Sequence, residues 1–138
     1  MKHWKEDLKG LVGLDYILFK NVPMRQSEYG PIIDLAPGVL EKLAAQAIIE
    51  HRIPIRGKEV KFLRKTLGFS MEKFASKLEL TSGAVFKWEK DPDERLHPTN
   101  EIVVRAFVAE ALGVEIAGKY SVLLGKSEQP EELILKAS

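Results

Sequence analysis

Two closely spaced helix-start signals, Ser70 and Thr81, constrain this chain more than any other feature of its sequence. A serine or threonine hydroxyl just before a helix accepts a hydrogen bond from a backbone N–H of the first turn. The stretch GFSMEKFASKLELTSGAVFKWEK, residues 68–90, therefore predicts two short helices, the second reaching about Glu89 before Pro92 stops it. We expect a sharp break between them and not one continuous helix.

The apolar residues of these two predicted helices lie where an angled helix pair requires them. Helices joined by a short turn approach closely at the elbow, and Ala75 is small enough for that point. Phe74 is also predicted to be core. Larger apolar side chains are predicted to fill the inner angle: Leu78, Leu80, Val85 and Trp88. The opposite side is predicted to face outward and to be available for DNA: Ser82, Gly83, Phe86 and Lys87.

Helical spacing of apolar residues marks three further segments. The first begins at Gly38 and ends before Pro54, and the second runs over residues 58–67. The third includes Ile102 and closes at Gly113, a residue type that commonly ends helices. The sequence therefore predicts that most of the ordered chain is helical.

Strand signals are confined to the N-terminal part of the chain. DYILFKNV, residues 15–22, is rich in β-branched and aromatic residues, and a second short strand is predicted over residues 32–35. The turn chemistry of PMRQSEYGP between them predicts a small hairpin that packs on a helix. Near the C-terminus, GKYSVLLGKSEQ is predicted to be irregular or briefly extended, and Pro130 to begin a short terminal helix.

Composition limits the classes of protein to which the chain can belong. With 138 residues, 45% hydrophobic and 30% charged, it is expected to form one globular domain, or one with a small appendage. It has no cysteine, which excludes disulfides and thiolate zinc sites. No signal peptide and no membrane-spanning apolar run are recognisable, so a cytoplasmic location and no membrane partner are predicted.

Charge is unevenly distributed along the chain. Residues 51–90 carry 10 Lys and Arg against 4 Asp and Glu, a local charge of +6, whereas the remainder carries 11 against 16, or −5. This basic segment comprises the two short helices and the stretch that leads into them, and such a segment is expected of a nucleic-acid-binding surface. The alternative interpretation is an ordinary solvated helical surface.

The residues SMEKFASKLELTSGAVFKWEK resemble the lambda-repressor-like, or XRE-type, helix-turn-helix family. That family combines a capping Ser, a helix with an Ala like Ala75, a short turn and a second helix ending in Trp-Glu. The resemblance implies a mainly α fold: a helical bundle over residues 57–112, preceded by the hairpin and a helix, with residues 82–89 as the recognition helix. It also implies binding to double-stranded operator DNA as a homodimer.

Three positions differ from the pattern of that family. Met71 stands where the family often has Gln. Glu79 replaces the Gly common in the turn, which places a non-glycine residue in the left-handed backbone region. Phe86 takes an outward position usually held by a small polar residue, where it can touch a thymine methyl group or pack on a neighbouring subunit.

A narrower resemblance, to antitoxins of the MqsA class, extends over a longer part of the chain, roughly residues 16–112. It is based on YILFKNVPM, on IRGKEVKFLRKTLGFS and on the Trp-Glu of the last helix. Those antitoxins commonly carry Cys-x-x-Cys pairs near the hairpin, where this chain has RQSEYG. The resemblance implies a repressor of its own type II toxin–antitoxin operon with a toxin as partner. Two alternatives remain open for the N-terminal part, namely toxin recognition and a purely packing or dimerisation role.

The sequence therefore predicts contacts of two kinds with DNA. Five residues are predicted to contact bases: Thr81, Ser82, Gly83, Phe86 and Lys87. Six are predicted to contact phosphates: Arg64, Lys65, Ser70, Lys73, Lys90 and Asn100. The backbone N–H groups near Thr81 also suit a phosphate.

Enzyme activity is not predicted. His3, His51 and His97 are widely spaced and accompany no catalytic or metal-binding motif, so no catalytic residue, metal or cofactor is expected. The predicted organisation is an N-terminal hairpin and helix module (1–56), a DNA-binding domain (57–112) and a tail with a candidate dimerisation role (113–138). Two alternatives to the antitoxin are a stand-alone transcriptional regulator and a protein-interaction module that has lost DNA binding.

Overall fold

A computed structural model describes residues 2–138 and divides the chain into two compact units. The sheet unit consists of two segments, the chain as far as Ala44 and Pro130–Ser138. The helical unit is Ala45–Gln129. Over the described residues the elements are, in chain order, β1 (His3–Lys9), β2 (Ile17–Ser27), β3 (Gly30–Ile33), α1 (Val39–Glu50), α2 (Gly57–Thr66), α3 (Met71–Lys77), α4 (Ser82–Lys90), α5 (Pro98–Leu112), α6 (Tyr120–Leu123) and β4 (Leu133–Lys136).

The sheet unit is organised around β2, which pairs with the three other strands. Strand β1 runs antiparallel along one edge of β2. The other edge is shared, because β3 pairs antiparallel with residues 24–27 and β4 pairs parallel with residues 17–20. The last strand of the chain thus completes a sheet begun by the first.

A bulge at Asn21 keeps the apolar side chains of β2 on one face. Phe19 pairs with Leu8 and Val22 pairs with Glu6, so β2 has one residue more than β1 between these pairs. Asn21 occupies the left-handed region at φ 58°, and its N–H donates to the Asp7 carboxylate over 3.0 Å. Because side chains alternate along a strand, the extra residue brings Val22 back to the buried side with Phe19.

The helical unit is capped as its sequence predicts. The hydroxyl of Ser70 accepts the N–H of Lys73 at the start of α3, and that of Thr81 accepts the N–H of Ala84 at the start of α4. Gly113 ends α5 in the left-handed conformation, at φ 71°. Three aromatic rings with centroids 6.0–6.4 Å apart join α3 to α5: Phe69, Phe74 and Phe107.

A buried carboxylate, Glu101 on α5, organises the loops of the helical unit. It accepts the N–H of Ile55 and pairs with Arg95 and the fully buried Arg105. Arg105 also donates to the carbonyls of Leu123 and Ile53 over 2.6 and 2.7 Å. Burial lowers the pKa of Arg105, although the nearby Glu101 opposes this shift. The cluster fixes the segment around α6 by ionic and backbone contacts.

The prediction of a mainly α fold is wrong. The described chain is 42% helix and 20% strand, an α/β fold with a substantial mixed sheet. Residues 3–9, predicted as no element, form β1, and residues 133–136 form β4 where a terminal helix was expected. Both strands exist through pairing with β2, which for β4 lies more than 100 residues earlier in the chain, and local propensity does not encode such pairing. The segment predicted to be irregular contains the short helix α6.

Residues 2–138 contain no helix long and apolar enough to cross a membrane.

Candidate nucleic-acid interface

A sharp turn separates α3 from α4. Helix α3 ends at Lys77, and Glu79 then takes the left-handed conformation at φ 57°. The N–H of Leu80 returns to the carbonyl of Ala75 over 2.8 Å, which satisfies a carbonyl at the end of α3. The prediction that Glu79 would occupy the left-handed region is confirmed. The chain is therefore redirected within a few residues, and α4 forms a separate helix.

The inner side of the turn is closed by small and apolar side chains, with two differences from expectation. Ala75, Leu78 and Val85 are buried as predicted. Trp88 is only partly buried, and Leu80 is 38% exposed because it lies in the turn and not on a packed helical face. The set of buried apolar side chains inside the turn is thus smaller than the sequence predicts.

Gly57 allows the start of α2 to touch the end of α4. A β-carbon at Gly57 would overlap the carbonyl oxygen of Trp88 and lie 2.7 Å from that of Asp91. The Gly57 N–H donates to the carbonyl of Glu94, and the N–H of Lys58 to that of Pro92. This backbone contact positions the C-terminal end of α4, and no periodicity of the sequence points to it.

A buried ion pair joins the same two helices. The Nε and Nη2 atoms of Arg64 on α2 donate to both oxygens of Glu89 on α4 over 2.7 and 2.9 Å, and Nη1 donates to the carbonyl of Phe69. The hydrogen bonds to Glu89 raise the pKa of Arg64. Such two-pronged pairing fixes geometry as well as distance.

Arg64 therefore does not lie on the surface to which its predicted phosphate contact would assign it. Its side chain is buried, and its guanidinium is directed at Glu89 and Phe69. The sequence treats Arg64 as an outward basic residue because it falls between apolar positions of α2. The pairing with Glu89, 25 residues further along, is a tertiary contact without a local signal. We leave Arg64 out of the candidate interface.

The outer side of α4 is open to solvent. Its exposed residues are Ser82, Gly83, Phe86, Lys87 and Lys90, and Thr81 before it is also exposed. All five predicted base-contacting residues therefore lie at one accessible surface around the start and outer side of α4. The first N–H groups of a helix lack intrahelical partners, so this end also attracts anions.

Lysine supplies the exposed positive charge of the helical unit's basic segment. Six lysines between residues 51 and 90 are exposed: Lys61, Lys65, Lys73, Lys77, Lys87 and Lys90. The arginines of that segment make internal contacts, Arg52 with a Ser121 carbonyl, Arg56 with Glu59, and Arg64 with Glu89. A lysine surface attracts phosphate as point charges but lacks the fork that reads guanine in two bonds.

The two remaining predicted phosphate contacts are polar residues near the starts of α3 and α5. Ser70 is exposed at the start of α3, where its hydroxyl caps the helix. Asn100, in the first turn of α5, is partly exposed and lines a cleft of about 210 Å³ together with Lys87, Arg95 and His97. The structure thus brings Asn100 and Lys87 to the same cleft, although they are separated along the chain.

Residues 2–138 contain no group of three His, Asp or Glu side chains that is arranged to hold a metal ion. Comparison of the chain with protein-family models, with curated proteins and with solved structures found no match to any of them.

Proposed function

We propose that this protein is a sequence-specific DNA-binding transcriptional repressor that inserts α4 into the major groove. The single observation that supports the proposal is the exposed outer side of α4, which begins directly after a sharp turn. The major groove of B-DNA admits an α-helix, and the residues near the N-terminus of such a helix contact base edges. Thr81, Ser82 and Gly83 occupy that end.

The proposed contacts with DNA are of two kinds: contacts with phosphates orient the protein, and contacts with base edges read the sequence. Lys65, Lys73 and Lys90, with Ser70 and Asn100, hold phosphates and set the register of the protein on the duplex. Base edges are read from α4, where the Ser82 hydroxyl both donates and accepts and the Lys87 ammonium donates to guanine acceptors. Gly83 has no side chain, so the backbone approaches the bases closely there.

We propose that the protein acts as a homodimer. One short helix contacts few base pairs, whereas two α4 helices about 34 Å apart read two half-sites of an inverted repeat. Three phosphate-contacting lysines per protomer give six per dimer, which corresponds to a slope of about −5 in a plot of log affinity against log salt.

The test is fluorescence anisotropy with a duplex taken from the region upstream of the protein's own gene, at several salt concentrations. We expect saturable binding that exceeds binding to a scrambled duplex. The double variant Ser82→Ala, Lys87→Ala is expected to lose at least about tenfold in affinity, since each base contact contributes on the order of 1–3 kcal/mol. Lys42→Ala, which removes an exposed lysine from α1, is the matched control and should bind as the wild type does.

Unchanged affinity and unchanged salt dependence in the double variant, with folding intact, would refute the assignment of α4. Binding that is lost equally in Lys42→Ala would show that general charge and not α4 determines affinity.

We further propose that the regulated operon encodes a toxin partner, as the resemblance to antitoxins implies. The sheet unit forms a compact unit with its own strand pairing and contains none of the proposed DNA contacts. That separation leaves it available for a protein partner. Co-expression with the product of the adjacent reading frame tests this, because an antitoxin should co-purify with that product and restore growth. No co-purification and no rescue would support a stand-alone regulator.

An interaction module without DNA binding is the second candidate function. The observation that favours it is Phe86, which is 57% exposed on the outer side of α4. An exposed aromatic ring is a common anchor in protein interfaces. The anisotropy experiment separates the two functions, because an interaction module should show no preference between the upstream and the scrambled duplex.

A further inference from the structure

Phe86 is the one large apolar side chain among the exposed residues of α4. It is 57% exposed, whereas the neighbouring Val85 is fully buried and Trp88 partly so. Exposure of a phenyl ring to water is unfavourable by roughly 25 cal/mol for each Å² of apolar surface. Contact of this ring with an apolar group of a bound molecule would remove part of that area from water.

The neighbours of Phe86 define what kind of contact this is. Along the helix, Ser82 precedes it by one turn and Lys90 follows it by one turn, and both are exposed. Gly83, three residues before it, has no side chain, and a β-carbon there would have only the Thr81 hydroxyl near it, at 3.8 Å. The exposed neighbours of the ring along α4 are therefore small, polar or cationic, whereas protein-docking patches are normally contiguous apolar areas.

We propose that Phe86 reads the C5-methyl group of a thymine in the major groove, an inference that rests on the DNA-binding function proposed above. Thymine is the one standard base whose major-groove edge carries a methyl group, and apolar side chains recognise it by contact. The ring offers no donor to a phosphate. Intercalating apolar wedges act from the minor groove, which an α-helix of this kind does not enter.

The absence of an exposed arginine on α4 makes this contact a determinant of specificity. The exposed polar side chains of the helix are Ser82, Lys87 and Lys90, and none of them forms the two-bond pattern that arginine makes with guanine. A thymine-directed ring supplies discrimination of a different kind, since it distinguishes thymine from cytosine by shape. The operator is therefore expected to contain a fixed thymine in each half-site.

The experiment replaces each thymine by deoxyuridine, one position at a time, in the tightest duplex recovered from a random-sequence library. The substitution removes the methyl group and leaves base pairing unchanged. We expect one thymine per half-site at which wild-type affinity falls about fourfold, the effect of burying one methyl group. Phe86→Ala should show no loss at that position, and Phe86→Leu, which retains an apolar side chain, should show a reduced loss.

Tyr29→Ala is the matched control, because Tyr29 is an exposed aromatic residue of the sheet unit, at 91% exposure. It should retain the wild-type response to deoxyuridine. Circular dichroism checks that Phe86→Ala is folded, and Phe86→Leu replaces it in the comparison if it is not.

The outcomes separate the inference from the function on which it rests. Wild-type protein that selects no duplex from the library would refute DNA binding itself. Wild-type protein that selects a duplex but tolerates deoxyuridine at every position would overturn the role of Phe86 alone. A deoxyuridine effect that persists in Phe86→Ala, or a change of oligomeric state in that variant with no change in base preference, would also overturn it.

Discussion

The two units of this protein join distant parts of the chain by different physical means. Among the described residues, the buried charged side chains all lie in the helical unit: Glu59, Arg64, Glu89, Glu101 and Arg105. The sheet unit is held by backbone ladders and by buried apolar side chains, and its ion pairs are exposed. Buried ion pairs fix geometry but are costly to break, whereas exposed pairs contribute little.

The buried ion pairs of the helical unit are related to its proposed function. The buried pair of Arg64 and Glu89 and the backbone contact at Gly57 both hold α4, the helix that we assign to DNA. A recognition helix must be positioned accurately, because its contacts are hydrogen bonds with narrow distance limits. The sheet unit contains none of the proposed DNA contacts and has no buried ion pair among its described residues.

The largest expected effect is the loss of one partner of the buried ion pair. Glu89→Ala leaves Arg64 buried without its carboxylate and should lower the free energy of unfolding of the helical unit by about 3–5 kcal/mol. Urea denaturation followed by Trp88 fluorescence in a Trp4→Phe background measures this, since Trp4 and Trp88 are the 2 tryptophans of the chain. Replacing both partners by Met should cost much less, and an equal cost would contradict the proposed role of the charge.

The next effect concerns the contact between α2 and α4. Gly57→Ala places a β-carbon against two backbone carbonyls and should destabilise the helical unit by about 3 kcal/mol. Gly83→Ala is the matched control, since its β-carbon would make only an ordinary contact with the Thr81 hydroxyl, at 3.8 Å, and alanine favours helix by up to about 1 kcal/mol. The same urea experiment compares the two variants. Equal stabilities would show that α2 and α4 do not approach as described.

In the sheet unit, apolar truncation should matter more than loss of charge. Leu135 on β4 is buried, so Leu135→Ala should cost about 2–3 kcal/mol, whereas Ile134→Ala, at a position 51% exposed, should cost less than about 1 kcal/mol. Trp4 fluorescence in a Trp88→Phe background reports this unit. A larger effect at Ile134 than at Leu135 would show that β4 pairs with β2 in a register different from the one described.

The smallest expected effect is the loss of an exposed ion pair in the sheet unit. Lys9 and Glu132 form an exposed ion pair of 3.1 Å in the sheet unit. Glu132→Ala should change the free energy of unfolding by at most about 1 kcal/mol. Measured beside Glu89→Ala, it tests directly whether burial decides the contribution of a charge. A loss as large as that of Glu89→Ala would invalidate the contrast between the units.

The sequence predicted the helical unit better than the sheet unit, for a physical reason. The caps Ser70 and Thr81, the left-handed Glu79 and the C-terminal Gly113 act on residues a few positions away, so their patterns are visible in the sequence. Strands β1 and β4 depend on pairing with β2, and β4 pairs across most of the chain. A four-residue segment such as LILK carries too little local signal to be recognised as a strand.

Prediction of the candidate site from the sequence is limited in the same way. The exposure of the outer side of α4 could be predicted from helical spacing, because the inner and outer residues alternate with the helical period. The burial of Arg64 could not, because its partner Glu89 lies on another helix. The mutual approach of Lys87 and Asn100 likewise follows from the path of the connector before α5 and not from any motif.

The central claim is that α4 binds DNA through its outer side, and backbone amide chemical shifts of isotope-labelled protein test it most directly. Titration with the duplex from upstream of the gene should produce the largest shifts at Thr81–Lys90, with additional shifts at Lys65, Lys73 and Asn100. The amides of β2 in the sheet unit should remain unchanged. Saturable shifts confined to the sheet unit, or none in α4 at low salt, would contradict the account.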